Sequence, residues 1–272
     1  DGSVEREIRA DVRAVTATEL ATVLGDASGP LCSTAEHLLA ALRGLNVDNV
    51  IVEIDGPEVP IMDGSAASFV DALDQAGLTE RAMPRRYIEV LKPIRVEKGA
   101  SVGELRPYAH GFRVEAEIDF DHPLIGKQAL SLDIEPNSFR REIARARTFG
   151  FMKDVAKLWG AGFALGASFD NTLVISEDRV LNPEGLRFAD EFVRHKVLDA
   201  IGDLALAGQP LIAAYKTVRG GHRLNHAVLS ALMADTTAWR VVEAAAEPVR
   251  RTRGHADMAP GLAAAAFGPD VS

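Results

Sequence analysis

Residues 194–203, RHKVLDAIGD, place His195, Asp199 and Asp203 at i, i+4 and i+8, a spacing that a helix turns into one polar stripe. At about 100° per residue the three fall within about 80° of one another, while Val193, Val197, Leu198, Ile201 and Leu204 gather on the opposite side. Phe188 and Phe192 lie on the polar stripe too, and large aromatics favour a covered face over bulk water. A buried, unpaired Asp is costly, so a cation is its natural partner. An imidazole and a carboxylate one turn apart can reach a single zinc ion, and a third ligand from elsewhere leaves the open position that a catalytic site needs. His37 is a candidate for that ligand. The competing reading of the stripe is a solvated face of an amphipathic helix.

Composition limits the function classes. The chain has 272 residues, enough for one large or two modest domains. A net charge of −9 argues against non-specific nucleic-acid binding, so an anionic ligand must be held by local cations. No apolar run approaches the ~18 residues of a transmembrane helix, and the opening DGSVEREIRA is no signal peptide. The single cysteine, Cys32, excludes an internal disulfide, fits a reducing cytoplasm, and is read as a small buried hydrophobe rather than a nucleophile. The absence of an initiator Met suggests that an N-terminal piece of the first domain is missing.

The organisation reads as two α/β halves. Residues 33–43 form a helix ending near Gly44, residues 49–54 (NVIVEI) a β-branched strand, and residues 66–77 a second helix. After a charged link at 79–86, YIEVLKPIRVEK, FRVEAEIDF and ALSLDIE alternate apolar and polar residues, predicting a largely antiparallel sheet with one covered face. A helix near 137–147, a Gly-rich strand segment at 160–168, the strand TLVIS, a long helix over 186–207, the strand LIAAYKTV and a helix from about 224 follow. The order strand, helix, helix, strand thus occurs once in each half. The last residues, rich in Ala, Gly and Arg, read as a flexible tail over 251–272.

Two further constellations carry chemistry. In STAEHLLAAL, Ser33 and Glu36 fit a capping box, and His37 alone fits a satisfied core histidine. Together, a carboxylate beside a zinc-binding histidine is what metal-assisted hydrolysis uses, because the base must reach the water being activated. In VRGGHRLNH, two glycines precede His222 on a segment read as a loop, where a protonated imidazole is placed to protonate a leaving amine; an exposed loop histidine is the plainer reading.

STAEHLLAALRGLNVDN, EVPIMDGSAASFVDAL, RARTFGF, LRFADEFVRHKVLDAIGDLALAG and GGHRLNH together resemble the zinc-dependent UDP-3-O-acyl-N-acetylglucosamine deacetylases, which carry out the committed step of lipid A biosynthesis in Gram-negative bacteria. The resemblance runs from about residue 9 to residue 245 in one register, without the family's N-terminal strand region.

The resemblance implies an α+β fold of two similar α/β sandwich domains, each a mainly antiparallel sheet packed on two helices, with the active site between them. Residues 1–80 would form the first domain and 87–250 the second. It implies one zinc ion per chain on His37, His195 and Asp199, with Glu36 as general base, His222 as the second catalytic residue, Asp203 orienting it and keeping it protonated, and Thr148 polarising the amide carbonyl. Lys196 matches a substrate-binding lysine. An insert at about 149–175 would form a hydrophobic passage for the acyl chain, including Phe149, Met152, Val155, Leu158, Trp159, Ala164, Ala167, Ser168, Thr172 and Val174. Core packing is the plainer reading of its apolar members. Two His and one carboxylate leave a zinc site net positive, suited to a developing oxyanion.

Lys196, Lys216, Arg219 and Arg223 are candidates for the nucleotide diphosphate. A cytoplasmic monomer working near the inner-membrane face on a UDP-linked acylated amino sugar is expected, with no nucleic acid bound and no stable membrane insertion. The alternatives are a zinc amidase acting on another acylated sugar or peptide, and a non-catalytic binding module whose structural zinc takes a fourth ligand from His110, His122, His226 or His255.

Overall fold

The structure is a computed structural model that describes residues 6–244; the expected tail at 251–272 lies outside them. A 3₁₀ turn at Val12–Ala14 leads into an antiparallel sheet of β1 (Val15–Ala17), β2 (Val23–Asp26) and β3 (Gly29–Cys32). Helix α1 (Glu36–Gly44) follows, and then α2 (Ala67–Ala76).

The second half builds a seven-stranded sheet from β4 (Arg86–Val90), β5 (Ile94–Lys98), β6 (Ser101–Arg106), β7 (Phe112–Asp119), β8 (Lys127–Asp133) and two later strands. A short helical turn, α3 (Pro136–Ser138), runs into a π-helical stretch at Phe139–Ile143. β9 (Phe149–Phe151) and β10 (Leu173–Ile175) pair in parallel and bracket α4 (Val155–Gly160). The long α5 (Glu191–Ala205), β11 (Leu211–Val218), α6 (His222–Ala234) and β12 (Trp239–Glu243) complete the chain. The fold is α+β with mainly antiparallel sheets, as expected. β11 alone runs parallel to β4 and β7, and its apolar run Leu211–Tyr215 suits a stretch covered on both faces, where Tyr215 is fully buried, before Lys216 returns to solvent.

Helix α5 is where the layers meet. Its apolar side, Val193, Val197, Leu198 and Ile201, is fully buried in the main core, against β7 and β8. Helix α1 packs on it as well, and α6 flanks it. The polar stripe is therefore covered, and His195, Asp199 and Asp203 are all buried.

Three expectations are corrected. Residues 49–54 form no strand: Val50, Ile51 and Val52 are exposed, and no described strand lies beside them. β-branched residues favour a strand only where neighbours supply packing and ladder bonds. Residues 160–168 form no strand either, because Gly162 and Ala164 take φ of +80° and 53° and the Trp159 indole donates to the Ala164 carbonyl at 3.1 Å, which coils the segment. The last long helix before β11 begins at Glu191 rather than 186, since Gly185 turns the chain at φ +68° and the Glu191 carboxylate takes the Arg187 N–H at 2.6 Å. Phe188 therefore precedes the helix, while Phe192 lies on it and is fully buried.

Candidate metal centre and active site

Gly202 decides how closely α1 approaches α5. A Cβ there would sit 2.0 Å from the Glu36 carbonyl oxygen, so only a glycine lets the first turn of α1 lie against the α5 backbone. That contact sets Glu36 and His37 over the stripe. The capping-box reading fails: the α1 N-cap is Ala35 without a side-chain cap bond, and the Ser33 hydroxyl donates to the Pro57 carbonyl at 3.1 Å. The Glu36 carboxylate instead accepts the Thr22 N–H at 3.0 Å.

His37, His195 and Asp199 bring one ligand atom each to within 4.8 Å of one another, all three buried. The Oδ1 of Asp199 stands 3.2 Å from His195 Nε2 and 3.7 Å from His37 Nε2, and has no hydrogen-bond partner. His195 Nδ1 faces the Ala146 carbonyl at 3.0 Å; a carbonyl only accepts, so Nδ1 carries a proton and Nε2 is the ring nitrogen turned toward Asp199. Burial drives the His37 pKa down to about 3, assisted by the neighbouring His195, so the His37 ring is neutral at physiological pH. Burial opposes ionisation of Asp199, but His195 and Lys196 outweigh it and hold its pKa well below the usual range. Two imidazoles and a carboxylate converging in a buried space fit a divalent cation of borderline softness. His110, His122 and His226 stay away: His122 bonds the Ser176 carbonyl and His226 the Val12 carbonyl, and His255 lies outside the described residues. No fourth protein ligand joins the group among the described residues.

The candidate acid–base residues lie beside this cluster. His222 is the first residue of α6 rather than part of a loop, and its Nδ1 donates to Asp203 Oδ2 at 2.9 Å. Its Nε2 lies 3.7 Å from Glu36 Oε1. Burial and the positive end of α6 both disfavour the imidazolium, yet the hydrogen-bonded Asp203 carboxylate prevails and lifts the His222 pKa to about 10. Burial raises the Glu36 pKa to about 7, against the pull of His222. The pair is thus poised as a base and an acid around neutral pH. Two partners were not evident from the sequence. The Thr22 hydroxyl donates to Asp203 Oδ1 at 2.6 Å, and the Asn225 amide donates to Oδ2 at 2.8 Å. Asn225 had a signal in its i+3 spacing from His222; Thr22 had none.

The remaining candidates are distributed unevenly. Lys196 donates to Asp199 Oδ2 at 2.8 Å and reaches over the Phe149 ring, which stacks edge-on against Phe192. Thr148 is tied through its N–H to the Gly64 carbonyl at 2.8 Å, two residues from the carbonyl that orients His195. Of the insert residues, Val155, Leu158, Thr172 and Val174 are partly buried, while Met152, Trp159, Ala164, Ala167 and Ser168 are exposed. Core packing does not describe the exposed ones, whereas Phe149 packs against the main core. Arg219 and Arg223 line a cavity of about 310 Å³ beside His222, together with Lys98, which sequence reasoning missed. Lys216 is exposed and faces Glu104 and Glu115 across the sheet, away from that cavity. Cys32 is half-buried at the end of β3, and burial pushes its thiol pKa up, against nucleophile chemistry.

The family described as UDP-3-O-acyl N-acetylglycosamine deacetylase matches residues 1–234. The UDP-3-O-acyl-N-acetylglucosamine deacetylases of Brucella ovis, Brucella canis and Brucella melitensis are each 54% identical to the chain over 236 residues, covering 86% of it and 82% of the relative. These matches take in both helices that build the buried cluster, and the chain belongs to the UDP-3-O-acyl N-acetylglycosamine deacetylase family.

Proposed function

We propose that the chain hydrolyses the N-acetyl amide of a UDP-3-O-acyl-N-acetylglucosamine and releases acetate, with one zinc ion held by His37, His195 and Asp199. The observation that carries this reading is the partnerless Asp199 Oδ1 facing two imidazole nitrogens in a buried space. Bound there, zinc supplies a lowered water pKa and a polarised amide carbonyl.

The chain's own residues supply the proton transfers and the positioning. Glu36, held by the Thr22 N–H, takes a proton from the attacking water as the new C–O bond forms. Thr148 offers a hydroxyl to the carbonyl oxygen that gains charge. As the C–N bond breaks, the electron pair goes to nitrogen and His222, protonated against Asp203, delivers the proton that makes the amine a leaving group.

Lys196, Arg219 and Arg223 are assigned to the diphosphate, the two arginines because they line the cavity next to His222. The acyl chain is assigned to the 149–175 insert, whose exposed apolar residues suit a passage open to a lipid chain. The proposed domains are 1–80 and 87–250, with Glu36 and the ligand His37 in the first and the ligands His195 and Asp199 in the second. No described helix is long and apolar enough to cross a membrane. The proposed state is a cytoplasmic monomer working beside the inner membrane.

The test is zinc content together with acetate release from the UDP-linked substrate. Wild type should bind one zinc and turn over, while His195→Ala and Asp199→Ala should remain folded and lose both metal and activity. Stoichiometric zinc in those two variants would remove the site.

A further inference from the structure

Arg147 and Glu191 take no part in the chemistry above, yet no other Arg–carboxylate or Lys–carboxylate pair among the described residues is as deeply buried, at 2% and 0% side-chain exposure. Glu191 Oε1 accepts the Arg147 Nε–H at 2.9 Å and the Arg147 backbone N–H at 3.0 Å, and Oε2 accepts Nη2–H at 3.2 Å. The Arg147 guanidinium also donates to the Gly185 carbonyl at 2.7 Å and to Glu184. Glu191 opens α5, one helical turn before His195. Arg147 lies between Ala146, whose carbonyl takes the His195 Nδ1–H, and Thr148.

We propose that Arg147 and Glu191 are positioning residues that fasten the 146–148 segment to the first turn of α5, so that the Ala146 carbonyl fixes the tautomer and direction of the His195 ring. The argument starts from cost. A buried ion pair is a poor source of stability, because desolvating two charges offsets their attraction, and an apolar pair of similar volume is often as good. What the pair offers is direction: a planar fork and a backbone N–H converge on one carboxylate, which locks two chain segments in register. The two groups that need that register are the neighbours of Arg147, the carbonyl behind His195 and the Thr148 hydroxyl. A partner of this kind behind a ligand histidine typically sets metal affinity within about 10–100-fold.

The inference rests on the metal reading, so its test includes a metal-free arm. Arg147→Met/Glu191→Gln removes both charges at once and keeps an acceptor for the backbone N–H; Arg147→Lys keeps the charge and loses the fork. In metal-free protein, NMR should show the His195 Nδ1–H as a slowly exchanging resonance in wild type and as exchange-broadened in the double variant. With zinc, chelator competition should give affinity weaker by about 10–100-fold, with kcat lowered and KM near wild type, while cooperative melting is retained. Arg147→Lys should fall between wild type and the double variant, and it decides the matter if the double variant does not melt cooperatively. A folded variant with wild-type zinc affinity, kcat and Nδ1–H resonance would overturn the proposal. If wild type itself binds no zinc, the metal reading fails, and the Nδ1–H resonance still tests the clamp.

Discussion

Asp203 Oδ2 accepts the Nδ1–H of His222 at 2.9 Å, and the same carboxylate also accepts from the Thr22 hydroxyl and the Asn225 amide. With Asp203 so anchored, the charge that holds the imidazolium is fixed in place. The His222 pKa, raised from 6.5 to about 10, means that the folded state binds this proton more tightly than the unfolded chain does. The pair's contribution to stability is therefore complete below about 6.5 and is lost as pH rises through about 10. The basic limb of kcat/KM, which reports loss of the acid's proton, should lie at high pH in wild type. Asp203→Asn should move it to lower pH by about 1–3 units, the size of an adjacent-charge effect, and His222→Gln should flatten it and slow turnover. Kinetics against pH for the three proteins check this, and an unmoved limb in both variants would remove His222 as the acid.

Glu36 has a linkage of the same sign, from a different cause and in a lower pH window. Its pKa is raised from 4.5 to about 7, chiefly by burial, so ionising it in the folded state costs more than in the unfolded chain. Metal-free protein should lose stability as pH rises from about 4.5 through about 7. Glu36→Gln should accordingly raise Tm at pH 8 and leave it nearly unchanged at pH 4, while zinc binding persists. Turnover should fall by about 10²–10⁴-fold, the usual contribution of a general base. Calorimetry and acetate release measured on one preparation would separate the two effects, and unimpaired turnover would leave Glu36 a structural residue.

The stripe of α5 was legible because helical periodicity is local: His195, Asp199 and Asp203 need only their own helix to align. The partners of the stripe were legible through motif resemblance, not through pattern. Thr22 reaches Asp203 across 181 residues of sequence, and nothing in the local sequence around Thr22 encodes that contact. Gly202 reads locally as a weak point in a helix, and its use appears only when the Glu36 backbone is found against it. The errors have the same origin. Residues 49–54 carry strand propensity without a neighbouring strand, and residues 160–168 carry glycines that serve left-handed turns instead of an extended chain.

The insert is predicted to affect binding and not chemistry. Phe163, Leu165 and Phe169 are exposed, and none belongs to the His37–His195–Asp199 cluster. If they line the acyl passage, Leu165→Glu should raise KM for an acylated substrate and leave kcat within about twofold, the signature of lost uniform binding. A substrate analogue lacking the acyl chain should not distinguish the variant from wild type. A fall in kcat at unchanged KM would assign the segment another role.

Gly202→Ala tests the architecture of the site itself. The added methyl would stand 2.0 Å from the Glu36 carbonyl oxygen and about as close to nothing else that can yield, since its other near neighbours, at 2.8 and 3.0 Å, are also Glu36 backbone atoms. A flexible side chain would swing aside, but two packed helix backbones cannot. Separating them costs about 1–3 kcal/mol, the usual size of overpacking in a core, even though alanine is the better helix former by about 1 kcal/mol. The displacement falls on the residues that need their positions most, because Glu36 and His37 open α1 and face α5. The variant should therefore lose more than stability: zinc affinity should fall with the shift of His37, and kcat with the shift of Glu36. A substitution of the same kind at Gly126, on the loop between β7 and β8 and far from α1, meets no neighbour within 4 Å and supplies the control. Its φ of +54° will cost some stability, but zinc affinity and kcat should stay at wild-type values. Equal losses of function in the two variants would mean that the approach of α1 to α5 is not what sets the site.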